Sequence, residues 1–156
     1  MCITEFQQRR LQKFFCVIPA KAGMTKNGGF AIGATERSSQ MANFLFVLGK
    51  DDNEAATRCF QFAKIAHSKG HHVDLFFIDG GVTWANRSRD LTQKTDTGDC
   101  PKDYLPYLVE NEVKIGICTP CAKNRKIDES LFYSNMQLDG GPHLIDMAAE
   151  AKVFNF

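Results

Sequence analysis

The sequence predicts an α/β domain over residues 41–156, with a mostly parallel β-sheet flanked by helices on both faces. Three observations predict it. Apolar runs of strand length are closed by glycine or turn residues. The segment between the first two runs repeats apolar residues at helical spacing. Strand and helix patterns then alternate to the C-terminus, which favours parallel pairing over hairpins.

Asn43 to Gly49 reads NFLFVLG, a continuous apolar run of the kind buried on both faces of a covered sheet. Asp51 or Asp52 can cap the following helix, and Glu54 suits its positive end. Ala55, Ala56, Cys59, Phe60, Ala63 and Ala66 form its apolar stripe, widened by Phe62 and Ile65, and Gly70 ends it. Val73 to Ile78 is the second strand, so this stretch is a βαβ unit with a right-handed crossover. Trp84 to Asn86 opens a short segment leading into a polar stretch, Arg87 to Lys102, expected to be a mobile loop without core positions. Tyr104 to Val109 makes a short helix and Val113 to Cys118 the third strand. Leu131, Met136 and Leu138 read as a broken helical region. Leu144 to Ala148 form the last helix and Lys152 to Phe156 a terminal strand.

The first forty residues differ in composition. They hold six Lys or Arg against two acids, a balance of +4, while residues 41–156 hold thirteen basic and sixteen acidic residues, a balance of −3. Apart from Phe14 to Ile18 they are poor in apolar residues, so they are expected to be a disordered extension. A signal peptide fits poorly, because the apolar stretch is short and contains Pro19. Val17 to Gly23 resembles translations of a dispersed bacterial repeat, and the fold is expected to be complete from Met41. The formal net charge of +1 argues against binding nucleic acid through bulk positive charge. No run approaches the ~18 apolar residues of a membrane span.

Cys118-Thr119-Pro120-Cys121 carries the chemistry. It lies at the C-terminal end of an expected strand, the edge where open α/β sheets bind and react. Thr119 can cap and Pro120 can open a helix, leaving backbone N–H groups near both sulfurs. With Lys123, Arg125 and Lys126 close behind, these donors favour a thiolate and a lowered Cys118 pKa. Such a thiolate carries sulfur as a persulfide or pairs with its neighbour as a disulfide. A structural zinc site would need two further ligands at matching spacing, and Cys59, Cys100, His71 and His72 do not supply them. A thioredoxin-like centre would need a proline-bearing strand facing the motif, which is absent. The six cysteines are scattered and read as thiols, not as a disulfide framework.

From Met41 onward the chain resembles the DsrE/DsrF/TusD-like (DsrE-like) sulfur-relay proteins. The resemblance rests on the order and spacing of several features. They are Phe44 to Leu48; Ala63 to Gly70-His71; Phe76-Phe77 with Gly81-Val82 and Ala85-Asn86; and Leu105 to Val113 running into Ile117-Cys118. Arg125, Asn135-Met136 and Lys152 to Phe156 complete them. It implies a flavodoxin-like layering, assembly as homotrimers or homohexamers, and sulfur handled as a cysteine persulfide. Cys118 matches the family's sulfur-carrying cysteine, Cys121 the second cysteine of some variants, and Arg125 a basic residue common after the motif. Arg125-Lys126 stands where the family often has Arg-Gly.

Other residues have weaker claims. Cys100, in the loop, could swing toward Cys118 as a resolving thiol. His143 after Gly140-Gly141-Pro142 could line the site and move protons, though a solvated turn histidine is the better fit. Trp84 could floor a pocket, pack between subunits or fill the core. Asp79-Gly80-Gly81 has the look of a phosphate loop but lacks the G-x-G-x-x-G spacing.

The leading expectation is a cytoplasmic sulfur-relay protein that needs no cofactor or metal. It would take sulfane sulfur on Cys118 from a donor protein and pass it to an acceptor. Cys121 would resolve the persulfide or tune Cys118, and Arg125 would stabilise the thiolate. The alternatives are a dithiol redox protein using Cys118 and Cys121, or a non-enzymatic oligomeric ligand-binding module.

Overall fold

A computed structural model of the protein describes residues 41–156. The extension expected over residues 1–40 lies outside the described residues.

Five strands form one parallel sheet: β1 (Asn43–Leu48), β2 (His72–Phe77), β3 (Ile115–Cys118), β4 (Met136–Asp139) and β5 (Lys152–Asn155), in the order β4-β3-β2-β1-β5. The first three crossovers step the same way across the sheet. With right-handed connections, α1 (Asn53–Ser68), α2 (Leu105–Glu110) and α3 (Thr119–Asn124) therefore share one face. The fourth step returns past β1, which puts α4 (Gly141–Glu150) on the other face. The core divides accordingly. Phe46, Leu48, Leu75, Phe77, Ile115 and Ile117 pack under the first three helices, while Leu45, Val47 and Phe76 meet Leu144, Met147 and Ala148 of α4. The α/β class, the parallel sheet and the helices on both faces are as the sequence predicts.

Local chemistry sets the element ends. Asp52 caps α1, its carboxylate accepting the Ala55 N–H at 2.8 Å. The stripe Ala56, Cys59, Phe60, Ala63 and Ala66 is buried. Phe76 is paired with Gly116, and its ring occupies the space a side chain at 116 would fill: a Cβ there would stand 2.7 Å from the ring edge.

Two expectations are corrected. Met136 to Asp139 is a strand, not broken helix. Its alternation, Met136 and Leu138 inward against Gln137 outward, has period 2, and the edge of β3 supplies its hydrogen-bonding partner. Arg87 to Lys102 is tied down and contributes to the core. Cys100 and Pro101 are buried, and Leu91 packs against the core. Asp99 forms an ion pair with Arg58 and accepts hydrogen bonds from the hydroxyls of Thr95, Thr97 and Tyr104. This polar network fixes a segment whose sequence carries few apolar anchors.

Candidate functional site

The site forms where β2 and β3 end. Cys118 is the last residue of β3 and the N-cap of α3, with Thr119 and Pro120 in its first turn. Thr119 is therefore not the cap. Its hydroxyl donates instead to the Asp139 carbonyl at 2.8 Å, tying the start of α3 to the end of β4. One turn along α3, the Cys121 sulfur stands 3.0 Å from that of Cys118, and both are free thiols, partly exposed.

The third member comes from the turn after β2. Asp79 Oδ1 lies 3.9 Å from the Cys121 sulfur, so a donor chain runs from the Cys118 thiol through Cys121 to a carboxylate. The turn is held against β1 by hydrogen bonds from Ile78 N–H to Leu48 O (2.9 Å) and Gly80 N–H to Gly49 O (3.1 Å). Gly81 makes this approach possible, because a Cβ there would stand 2.0 Å from Leu48 O. Asp79 itself has φ +44°, a left-handed conformation that L-residues rarely adopt. The N–H groups of Gly80 and Gly81 are satisfied by Gly49 O and Ile78 O, so they cannot cradle a phosphate. The phosphate-loop reading of Asp79-Gly80-Gly81 is thereby set aside.

Electrostatics reverse one expectation. Burial pushes the Cys118 thiol above its ordinary pKa, and the hydrogen bond it donates to Cys121 and the charge of Asp79 add to this. The nearby Cys121 backbone N–H pulls the other way and does not prevail. The lowered pKa expected from a helix start and nearby cations is not found. The reason is visible in α3: it is six residues long, and Lys123, Arg125 and Lys126 are exposed. Arg125 sits at the C-cap of α3, and its charge acts on Asp51.

The remaining candidates lie apart from the thiol pair. Cys100 is buried and its thiol donates to Asp103 Oδ2 at 3.4 Å, so it is a fixed part of the loop's turn. Trp84 is a core residue, edge-on to Phe60, with the Arg89 guanidinium stacked 3.6 Å from its ring and bonded at 2.6 Å to Asp51. His143 is exposed in the first turn of α4 and pairs with Asp139 Oδ2 at 2.6 Å, which raises its pKa. A groove of about 330 Å³ opens beside it on the α4 face, lined by Asp74, Lys114, Gly116, Gln137 and Asp139, and none of the described cysteines borders it. Among the described residues no three His, Cys, Asp or Glu side chains are grouped to hold a metal ion. Among them, too, no helix is long and apolar enough to cross a membrane.

Sequence reasoning missed Asp79 as the partner of the thiols. Its signal was positional: Asp79 follows the end of β2 and Cys118 closes the neighbouring β3, the two strands being joined in register by Phe77 and Ile117.

Comparison with known proteins decides the kinship. The model of the DsrE/DsrF-like family matches residues 42–156. The chain belongs to the DsrE/DsrF-like family. The resemblance drawn from its strand and helix motifs is thus borne out. This DsrE/DsrF-like chain is 29% identical over 91 residues to the sulfurtransferase TusD of Proteus mirabilis (strain HI4320), an alignment covering 53% of this chain and 68% of that protein. In fold it is similar to the ychN protein from E. coli, with a TM-score of 0.61 and 19% identity over 74% of this chain and 99% of that one. It is also similar to a protein of unknown function from Methanobacterium thermoautotrophicum, with a TM-score of 0.57 and 12% identity over the same shares.

Proposed function

We propose that this protein is a sulfur-relay carrier, holding sulfane sulfur as a persulfide on Cys118 and passing it to a partner protein. The observation that carries this reading is the thiol pair itself, partly exposed at the C-terminal edge of the sheet with the two sulfurs 3.0 Å apart. Kinship with a family that includes a protein named sulfurtransferase TusD supports it. In the loading step the Cys118 thiolate attacks the outer sulfur of a donor persulfide. The donor's S–S bond breaks, its thiol leaves with the electron pair, and Cys118 gains one sulfur atom. The raised Cys118 pKa makes loading accelerate as pH rises through neutrality, because only the thiolate attacks.

Incubation with inorganic polysulfide followed by mass spectrometry tests the reading. Cys118 should gain one sulfur (about 32 Da), Cys118→Ser should abolish the gain, and the buried Cys59 should stay unmodified. A second reading, a dithiol redox protein, draws support from the 3.0 Å approach of the sulfurs. A Cys118–Cys121 disulfide as the sole product, with no sulfur gained at any stage, would favour it. No change at either cysteine would favour a ligand-binding module using the groove near His143.

The proposal extends to assembly and location. We infer homotrimers or homohexamers working in the cytoplasm with sulfur-donor and sulfur-acceptor proteins and without nucleic acid. Support for assembly comes from β5, an edge strand with Val153 and Phe154 exposed, and from Phe62 and Ile145, which are exposed as well. Sedimentation showing a stable monomer at micromolar concentration would count against it.

A further inference from the structure

We propose that Asp79 is the proton acceptor for Cys121 and thereby makes the site self-resolving: Cys121 expels the carried sulfur from Cys118 as sulfide. This rests on the persulfide reading above and adds a direction to it, since sulfur not handed to an acceptor leaves in reduced form.

The geometry fits this role in three ways. Cys121 stands between the other two groups, 3.0 Å from the Cys118 sulfur and 3.9 Å from Asp79 Oδ1. It can therefore attack one neighbour while its proton departs toward the other. Asp79 is held at φ +44°, in a turn that Gly81 allows to close within contact of β1. Backbone conformations of this cost persist where surrounding structure enforces them, often at reactive sites. No lysine or arginine of α3 competes for the carboxylate by hydrogen bond or ion pair among the described residues, which leaves Oδ1 facing sulfur.

The chemistry balances without a further reagent. In the loaded state Cys118 bears S–S⁻. The Cys121 sulfur attacks the inner sulfur of Cys118, forming the Cys118–Cys121 bond and breaking the bond to the outer sulfur. That electron pair leaves with the outer sulfur, which is reduced to sulfide, while the Cys121 sulfur is oxidised from thiol to disulfide level and the Cys118 sulfur, already bonded to sulfur in the persulfide, keeps its level. The Cys121 proton passes to Asp79 and on to the departing atom, which leaves as HS⁻. Closing the disulfide requires the two sulfurs to approach by about 1 Å from their present separation. A dithiol reductant then returns the pair to its starting state.

The test loads the full chain with inorganic polysulfide, removes the excess, and follows sulfide release and the Cys118 mass from pH 5.5 to 9. Asp79→Asn is the informative variant, because asparagine tolerates positive φ and preserves the turn. The wild type should release sulfide and end as the disulfide. D79N should still load Cys118, and faster than the wild type because a negative neighbour of the thiol is gone, but should release sulfide at least tenfold more slowly at pH 7, within the range of positioned acid–base groups. Its rate should climb steeply with pH and converge on the wild type as hydroxide replaces the carboxylate as base. Cys121→Ser should trap the persulfide. Equal rates and equal pH profiles for D79N and wild type would overturn the role of Asp79 while leaving the persulfide standing. A loaded wild type that releases no sulfide would overturn self-resolution. Failure of the wild type to gain sulfur on Cys118 would remove the persulfide reading, and this step with it.

Discussion

Replacing Gly81 by alanine should destabilise the domain by about 2–4 kcal/mol, a figure that follows from the turn after β2. An alanine Cβ would stand 2.0 Å from Leu48 O and 2.7 Å from its carbonyl carbon. Carbon and oxygen atoms ordinarily stay beyond about 3.3 Å, so the gap must widen by more than about 1 Å. Leu48 cannot give way by changing rotamer, because the clash is with the backbone of a fully buried residue. The turn must lift instead, straining the bonds from Ile78 N–H to Leu48 O and from Gly80 N–H to Gly49 O. Each contributes roughly 1 kcal/mol net, and overpacking adds about 1–3 kcal/mol. The smaller unfolded-state entropy of alanine returns about 0.4–1 kcal/mol. Equilibrium unfolding in urea measures the difference directly. At about 4 °C per kcal/mol for a domain of this size, the melting temperature should fall by roughly 8–16 °C. Gly141→Ala is the control, since nothing lies within 4 Å of its Cβ position, and it should stay within about 0.5 kcal/mol of wild type. A G81A protein as stable as that control would refute the close approach of the turn, and with it the placement of Asp79.

Other perturbations have equally definite signs. The hydroxyls of Thr95, Thr97 and Tyr104, with Arg58, hold the Asp99 carboxyl well below the usual range. Its contribution is therefore present above the ordinary unfolded value of about 4 and lost as pH falls through the folded one. Asp99→Asn should lower the urea midpoint at pH 7 and hasten tryptic cleavage between 87 and 99; unchanged cleavage would refute the pinning. His143 is shifted the other way, because its hydrogen bond to Asp139 raises its pKa. That pair stabilises fully below about 6.5 and fades as pH climbs through the raised value. The midpoint gap between wild type and His143→Gln should be larger at pH 6 than at pH 9, and an equal gap at both would sink the assignment. Burial raises the Cys59 thiol far above its ordinary pKa, so iodoacetamide at pH 8 should spare it in the folded protein and modify it in urea; labelling of Cys59 in the native state would contradict its place in the core.

Which parts of this molecule were legible in the sequence follows from how local each signal is. Phe44 to Leu48 and the stripe from Ala56 to Ala66 fix their own conformations, and both elements lie where their patterns put them. Met136 to Asp139 was misread because four residues carry too little period to separate strand from helix. Its strand character comes from the open edge of β3, a partner eighteen or more residues distant in sequence. The loop before α2 was misread for a related reason. Its anchors are Arg58 and Tyr104, which lie on either side of it, and composition reports polarity without reporting who pairs with whom.

The thiol pair shows the same division at the level of chemistry. Cys118 and Cys121 meet because one turn of helix separates them, which spacing alone foretells. Their protonation is not local in that sense. The cations that follow them in sequence face solvent, where water screens their charge, whereas burial of the sulfur and the carboxylate of Asp79 act at short range. Asp79 reaches them only because β2 and β3 are adjacent and in register, so that both strands end at the same level. A cysteine that sequence reading makes an activated thiolate is thus held protonated in the fold. Its reactivity depends on a proton path across two strand ends, and the variant that separates these accounts is Asp79→Asn. A stabilised thiolate would lose nothing by the change and gain from removal of a negative neighbour, whereas a pair resolved through Asp79 would keep its sulfur.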